Sequence, residues 1–298
     1  MWSVRQAVDQ FIRSLELTEK QRAEVTRQQT VVREVLCSLL PSKGVFLSGS
    51  YSRNTAIRPL HDIDMFVLMG EVDPSPREIR GAGGTVVTQD SVLKQVRQAL
   101  AKKWPEKELP ILQQHSVHIA FSGSEIEFDV VPAFKVRGQE TFRIPERETN
   151  LWIDSNPQLH AERNRTADRK AGHQLNPLIK VVKHWNRQQH SSPLRSFHLE
   201  AMSYSAFASP PSLGGHLESL KSLFEHLSRE VQHPCPDPAG LGPNVDKRMT
   251  PNQREASRQL LVRAAEELEH VLAEEKPSPE RAHARLKKFF GNEYRDRA

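Results

Sequence analysis

Asp62 and Asp64 place two carboxylates one residue apart at the head of an apolar run, Met65-Phe66-Val67-Leu68-Met69. In a β-strand successive side chains alternate faces, so both carboxylates point to one side and Ile63 to the other. Two hard oxygen donors side by side suit Mg²⁺ when nucleotide phosphates complete its shell. Upstream, Val45-Phe46-Leu47 runs into the small-residue turn Ser48-Gly49-Ser50, with Ser50 twelve residues before Asp62. Gly49 and Ser50 offer backbone N–H groups and a hydroxyl to phosphate oxygens with no large side chain in the way. A third carboxylate, Asp129, lies in Glu125-Ile126-Glu127-Phe128-Asp129-Val130-Val131. Alternation there sets Glu125, Glu127 and Asp129 on one face and Ile126, Phe128 and Val130 on the other.

If the two acidic strands are neighbours, Asp62, Asp64 and Asp129 converge at one edge of a sheet. Such a set would hold two Mg²⁺ about 3.5–4 Å apart, with Mn²⁺ able to substitute. One ion would lower the pKa of an attacking hydroxyl, and the other would neutralise charge on a triphosphate and its leaving pyrophosphate. Asp129 could also take the hydroxyl proton. Lys180 and Lys183, three apart on one helix face, could supply further positive charge. Arg53 and Arg58 flank the turn and either hold phosphate or are surface charge. Glu125 and Glu127 read as solvated or ion-paired rather than as metal ligands, and His61 as shaping the turn rather than doing acid–base work.

The elements that must position these groups follow from periodicity. Residues 2–40 carry apolar positions at helical spacing and predict one long helix or two, ending before Pro41. Strand, turn and strand follow over 44–69. Residues 70–87, rich in Gly and Pro, read as a mobile loop. A helix is expected over 89–103, strands over 109–121 and 125–131, and a short strand at Thr141–Ile144 within a polar, basic stretch. From 157 to 189 the pattern is helical, with Pro177 marking a helix start or a kink. A buried helix over 196–208, an amphipathic one over 213–231, a Pro/Gly-rich stretch over 234–251 and helices over 251–275 and 278–290 complete the chain. Trp185, Phe289 and Phe290 read as core, and His184 and His198 as packing or polar-network histidines. The basic run at 163–170 reads as a solvated face or the frame of a cleft. The expected fold class is α/β (α+β). A catalytic lobe over 1–150 has a mixed sheet and an N-terminal brace helix. A helical lobe over 151–298 closes a ligand cleft, and a free polar tail spans about 291–298.

Composition bounds the function classes. The chain has 298 residues, 37% hydrophobic content and a formal charge of +5, with a mean hydropathy of −0.60. It is long enough to bury a core. No apolar run approaches the roughly 18 residues that span a bilayer, and the opening residues lack the apolar core of a signal peptide. Two cysteines, Cys37 and Cys235, suit a reducing cytoplasm and read as inert. The mild basic bias fits polyanionic ligands such as nucleotides or nucleic acid.

Gly49-Ser50, Asp62-x-Asp64 and the later Asp129 together resemble the nucleotidyltransferase pattern of the DNA polymerase β-like superfamily. Ser48 to Pro59 ahead of the acidic pair is similar to the SMODS family, the bacterial cGAS/DncV-like nucleotidyltransferases, or CD-NTases, of CBASS antiphage systems. Pro177 to Asn186, Arg195 to Glu200 and the Asp237-Pro238 turn before Asn244-Val245 add to the resemblance, which spans roughly residues 1–275. The resemblance implies that Lys183 reaches the donor triphosphate, that Ser196 touches phosphate and that Phe197 stacks on a base. It implies ATP, GTP or other nucleoside triphosphates as substrates and a cyclic di- or trinucleotide as product. That product would act on a separate effector during phage infection. Accessory CBASS proteins, and conjugation through the terminal residue Ala298, are implied partners. The animal relative has a zinc-binding insertion, but here His233-x-Cys235 is the one close His/Cys pair, so zinc is not expected. Two other readings fit the same metal site: nucleotidyl transfer to a tRNA, a protein or a small molecule, and a non-catalytic nucleotide-binding regulator.

Overall fold

The computed structural model describes residues 2–60, 62–75, 77–121, 126–189, 194–207 and 215–297. In chain order the elements are α1 (Val4–Ser14), α2 (Glu19–Leu39), β1 (Gly44–Leu47), the single turn α3 (Gly49–Ser52), β2 (Asp62–Val72), β3 (Ile79–Arg80), β4 (Val86–Val87), α4 (Gln89–Lys103), β5 (Ile111–Leu112), β6 (Val117–Ala120), β7 (Glu127–Val136), β8 (Phe142–Glu146) and β9 (Leu151–Ser155). Then come α5 (Pro157–Lys170), α6 (Leu175–Arg187), α7 (Ser196–Ser203), α8 (His216–Glu230), α9 (Pro251–Glu274) and α10 (Pro279–Phe290). The chain divides into two compact units: a sheet unit of Thr18–Arg53 and Pro59–His160, and a helical unit of Met1–Leu17, Asn54–Arg58 and Ala161–Ala298.

The sheet unit is built on a mixed sheet in the order β1-β2-β7-β6-β5, with β8 paired to β7 and β9 to β8. β2 and β7 run parallel, and the other pairings are antiparallel. β7 is the central strand: β2 covers one edge, and β6 and then β8 cover the other. Val130 to Phe134 are buried without alternation, with α4 packed on the strand and Val131 and Ala133 in a cluster with Phe66, Phe142 and Ile144, whereas the strand's first residues alternate. A register shift between Leu68 and Gly70 bends β2 past the acidic end. Helix α4 buries Val92, Leu93, Val96 and Leu100, packing on β6, β7 and β8.

The helical unit gathers around one apolar cluster. Val4, Ala7, Val8, Phe11 and Ile12 of α1 meet Leu178, Val182 and Trp185 of α6, Leu220 and Phe224 of α8, Leu261 and Leu268 of α9, and Phe289-Phe290 of α10. The i, i+3, i+4, i+7, i+8 stripe on α1 is what a helix needs to bury one face.

Capping residues set several boundaries. The 2–40 stretch forms two helices because Thr18 opens α2 with a capping box to Gln21, as Ser3 does for α1 with Gln6. The two helices lie in different units, with one cut at Leu17 and another at His160: α1 carries the apolar stripe, while α2 stays with the sheet. Pro177 stands in the first turn of α6, where its missing N–H has no intrahelical partner to lose.

The sequence reading differs elsewhere. The 70–87 stretch continues β2 to Val72 and then pairs β3 with β4. The 109–121 stretch splits into β5 and β6, and β9 extends the sheet over residues to which no element was assigned. The final residues are not a free tail. Tyr294 is buried with its ring against Phe290 and Phe11, and its hydroxyl is 2.7 Å from His283 Nδ1. The Trp2 backbone N–H donates to the Asp296 carbonyl at 2.8 Å. One aromatic ring that reaches an apolar cluster outweighs its polar neighbours. His61, Glu125 and Ala298 lie outside the described residues. No helix among the described residues is long and apolar enough to cross a membrane.

Candidate active site

The acidic residues are brought together by strand register. In the parallel β2–β7 pair Asp62 stands beside Glu127 and Asp64 beside Asp129. Ile63 and Phe128, between them, are fully buried on the opposite face. Asp62 and Asp64 therefore share one face with the distant Asp129 at the start of two neighbouring strands, as the alternation predicts.

The turn before β2 closes over the same end. Antiparallel pairing of β1 with β2 matches Leu47 to Met65, so the next residue, Ser48, donates its N–H to the Asp64 carbonyl at 2.8 Å. Gly49 then takes φ +65°, and a Cβ built on it would lie 1.6 Å from Asp64 Oδ2. Only glycine leaves room for the Asp64 carboxylate here, and only glycine adopts that backbone angle at no steric cost. Ser50 follows in the single turn of α3, and Arg53 ends it as a buried residue.

The electrostatics are those of crowded like charges. The Asp64 carboxyl is pushed up to about 6, first by burial and then by Asp129, with Asp62 adding and Arg53 opposing. Arg53 is thus not plain surface charge. Asp129 is also raised, chiefly by burial, while the hydrogen bond from His118 works against the rise. Holding carboxylates together at the ends of two neighbouring strands is unfavourable without a cation, and an all-oxygen donor set has the chemistry that suits Mg²⁺.

His118 is the residue the sequence reading missed. It stands opposite Asp129 in the β6–β7 pair. Its Nδ1 is 3.0 Å from Asp129 Oδ1, and its Nε2 is 3.4 Å from Glu127 Oε2. Glu127 thus has the His118 ring as its neighbour. The signal for His118 was a lone polar ring between apolar Val117 and Ile119, but only register reveals what it faces.

The remaining expected contacts belong to the helical unit. Lys183 is buried, with Nζ 2.7 Å from Glu200 Oε1 and donating to the Thr55 carbonyl at 2.9 Å. Lys180 is also buried, 2.5 Å from Glu16 Oε1. Glu200 is the second residue whose role sequence reasoning missed: a fully buried carboxylate inside an apolar helix. Ser196 is exposed and Phe197 half-buried in the first turn of α7. Arg58 donates to the Leu15 and Ser14 carbonyls, fastening the end of α1. His184 Nε2 lies 2.8 Å from the Phe290 carbonyl, a polar-network histidine. Burial pushes the Cys235 thiol up to about 11, which suits an inert cysteine.

Residues 2–167 match the family model of the Second Messenger Oligonucleotide or Dinucleotide Synthetase domain, SMODS. The chain belongs to the SMODS family. A relative from Bacillus cereus (strain VD146), named a probable cyclic nucleotide synthase, is 27% identical over 225 residues, covering 68% of this chain and 67% of that one. A cyclic AMP-AMP-AMP synthase of Escherichia coli (strain MS 115-1) is 25% identical over 191 residues, covering 62% of this chain and 56% of that one. The chain spans about half to two-thirds of the length of the curated relatives it matches. Among solved structures, Vibrio cholerae DncV in its 3'-deoxy ATP bound form superposes with a TM-score of 0.81 at 15% identity, covering 99% of this chain and 97% of that one. The complex of E. coli MS115-1 CdnC with HORMA-deltaN gives a TM-score of 0.77 at 18% identity, covering 98% of both chains. The polymerase β-like SMODS fold is thus the fold of this chain.

Proposed function

We propose that this SMODS protein joins nucleoside triphosphates into a cyclic di- or trinucleotide. The observation that carries the reading is the in-register pairing of Asp64 with Asp129, closed over by Gly49. Asp62, Asp64 and Asp129 would hold two Mg²⁺ ions, or Mn²⁺ in their place. Bound there, the ions would lower the pKa of the attacking hydroxyl and neutralise charge on the triphosphate.

The chain's own residues do the rest. The Gly49-Ser50 turn presents N–H groups and a hydroxyl to phosphate oxygens. Asp129 accepts the proton of the ribose hydroxyl that attacks the donor's α-phosphate, and pyrophosphate leaves. Ser196 contacts phosphate, and Phe197 offers a ring face to a base without choosing which base. Lys183 and Lys180 supply positive charge to the triphosphate from buried positions, with Arg53 beside Asp64. A second transfer closes the ring. Family membership supports an intracellular signalling role in which the product activates a separate effector during phage infection.

The test is incubation of the purified protein with labelled nucleoside triphosphates and Mg²⁺, without any added acceptor. A phosphatase-resistant product is expected. Product that forms only when RNA or protein is added would favour the rival transferase reading.

A further inference from the structure

His118 sits beside the carboxylates in a way the proposed reaction does not use. Its ring bridges two residues of β7: Nδ1 engages Asp129 at 3.0 Å, and Nε2 points toward Glu127 at 3.4 Å. His118, Glu127 and Asp62 each offer a ligand atom, and all three atoms lie within 4.8 Å of one another. The three residues come from three adjacent strands, β6, β7 and β2, so sheet hydrogen bonding fixes their spacing. The ring is only 18% exposed.

Asp129 lies outside this group and sets its chemistry. When Nδ1–H donates to the Asp129 carboxylate, the Nε2 lone pair is left facing Asp62 and Glu127. A carboxylate that fixes the tautomer and orientation of a histidine is the usual partner of a metal-ligating imidazole. A set of one imidazole and two carboxylates differs in kind from the all-oxygen set of Asp62, Asp64 and Asp129. Mg²⁺ holds oxygen ligands and dehydrates reluctantly, whereas divalent transition ions accept imidazole nitrogen readily.

We propose that His118 Nε2, Glu127 and Asp62 form a second cation position, oriented by Asp129, that takes a divalent transition ion in preference to Mg²⁺. It shares Asp62 with the nucleotidyl-transfer site, yet it requires no nucleotide and no turnover.

The experiment is binding of Mn²⁺ to the full chain without nucleotide, read by pulsed electron paramagnetic resonance for coupling to ¹⁴N. Bound Mn²⁺ is expected to show imidazole nitrogen coupling that survives a tenfold excess of Mg²⁺. His118→Gln, whose amide can still donate to Asp129, should lose the coupling while keeping the wild-type melting temperature within a few degrees. Glu127→Gln, a second route, should weaken Mn²⁺ binding on the order of tenfold and keep the nitrogen signal of what remains bound. Absence of nitrogen coupling at excess Mn²⁺, coupling that persists in His118→Gln, or loss of the coupling on adding equimolar Mg²⁺ each overturns the proposal. A protein that makes cyclic product yet shows no nitrogen coupling overturns this site alone. One that shows the coupling yet makes no product overturns the proposed reaction alone.

Discussion

At Gly49 and Asp64 the two side chains cannot be considered separately. The space a methyl group would fill at Gly49 is occupied by the Asp64 carboxylate, 1.6 Å from an ideal Cβ. Gly49→Ala must push that carboxylate aside, and misplacement by about 1 Å costs on the order of 100-fold in rate. Steady-state kinetics of the variant checks this; a near-wild-type kcat would contradict it. Asp64 also makes stability depend on pH in a definite direction. Its folded-state pKa, about 6, is above the ordinary value of 3.8, so the metal-free fold binds that proton more tightly than the unfolded chain does. The associated stability is complete below about pH 4 and is lost as pH rises through about 6. At pH 7.5 the charged carboxylate therefore costs the metal-free protein up to about 3 kcal/mol. Asp64→Asn should raise the urea midpoint of chelator-treated protein at pH 7.5 and leave it unchanged near pH 4. Equal effects at both pH values would refute the assignment.

Among elements, the α6–α7 pair tests what a buried lysine does here. Lys183 and Glu200 are nearly inaccessible, at 4% and 0%, and lie 2.7 Å apart. Removing one partner leaves an uncompensated buried charge, so Lys183→Met alone should destabilise by about 3–5 kcal/mol. Lys183→Met with Glu200→Gln should recover much of that loss. If activity stays absent in the double variant despite recovered stability, Lys183 acts on the triphosphate as well as on the fold; full activity in the double variant would assign it to structure alone. In the first turn of α7, Phe197→Ala should raise KM with little change in kcat, by the equivalent of about 1–3 kcal/mol per stacked base. An unchanged KM would remove Phe197 from the nucleotide contacts.

For the molecule as a whole, local pattern revealed what depends on one strand or one helix, and missed what depends on register or tertiary docking. The Asp62-x-Asp64 alternation and the Asp129 face were legible because a strand's period fixes them. The stripe on α1 and the helix start near Pro177 were legible for the same reason. His118 and Glu200 were not legible: each is a single polar residue in an apolar run, and its meaning comes from a partner on another element. The chain end reads as polar by composition, yet Tyr294 docks it in the apolar cluster, with the Trp2–Asp296 backbone bond beside it. β9 is only five residues long, and no element was assigned to it; its pairing with β8 is what makes it a strand.

The central claim is that the Asp62–Asp64–Asp129 edge moves nucleotidyl groups to form a ring. Mass spectrometry of the products from purified protein, Mg²⁺ and the four nucleoside triphosphates, compared with the Asp62→Asn/Asp64→Asn double variant, tests it most directly. A cyclic di- or trinucleotide with pyrophosphate release from the wild-type chain, and neither from the double variant, is the predicted result. The same product from both proteins, or no nucleotide joined by the wild-type chain, would contradict it.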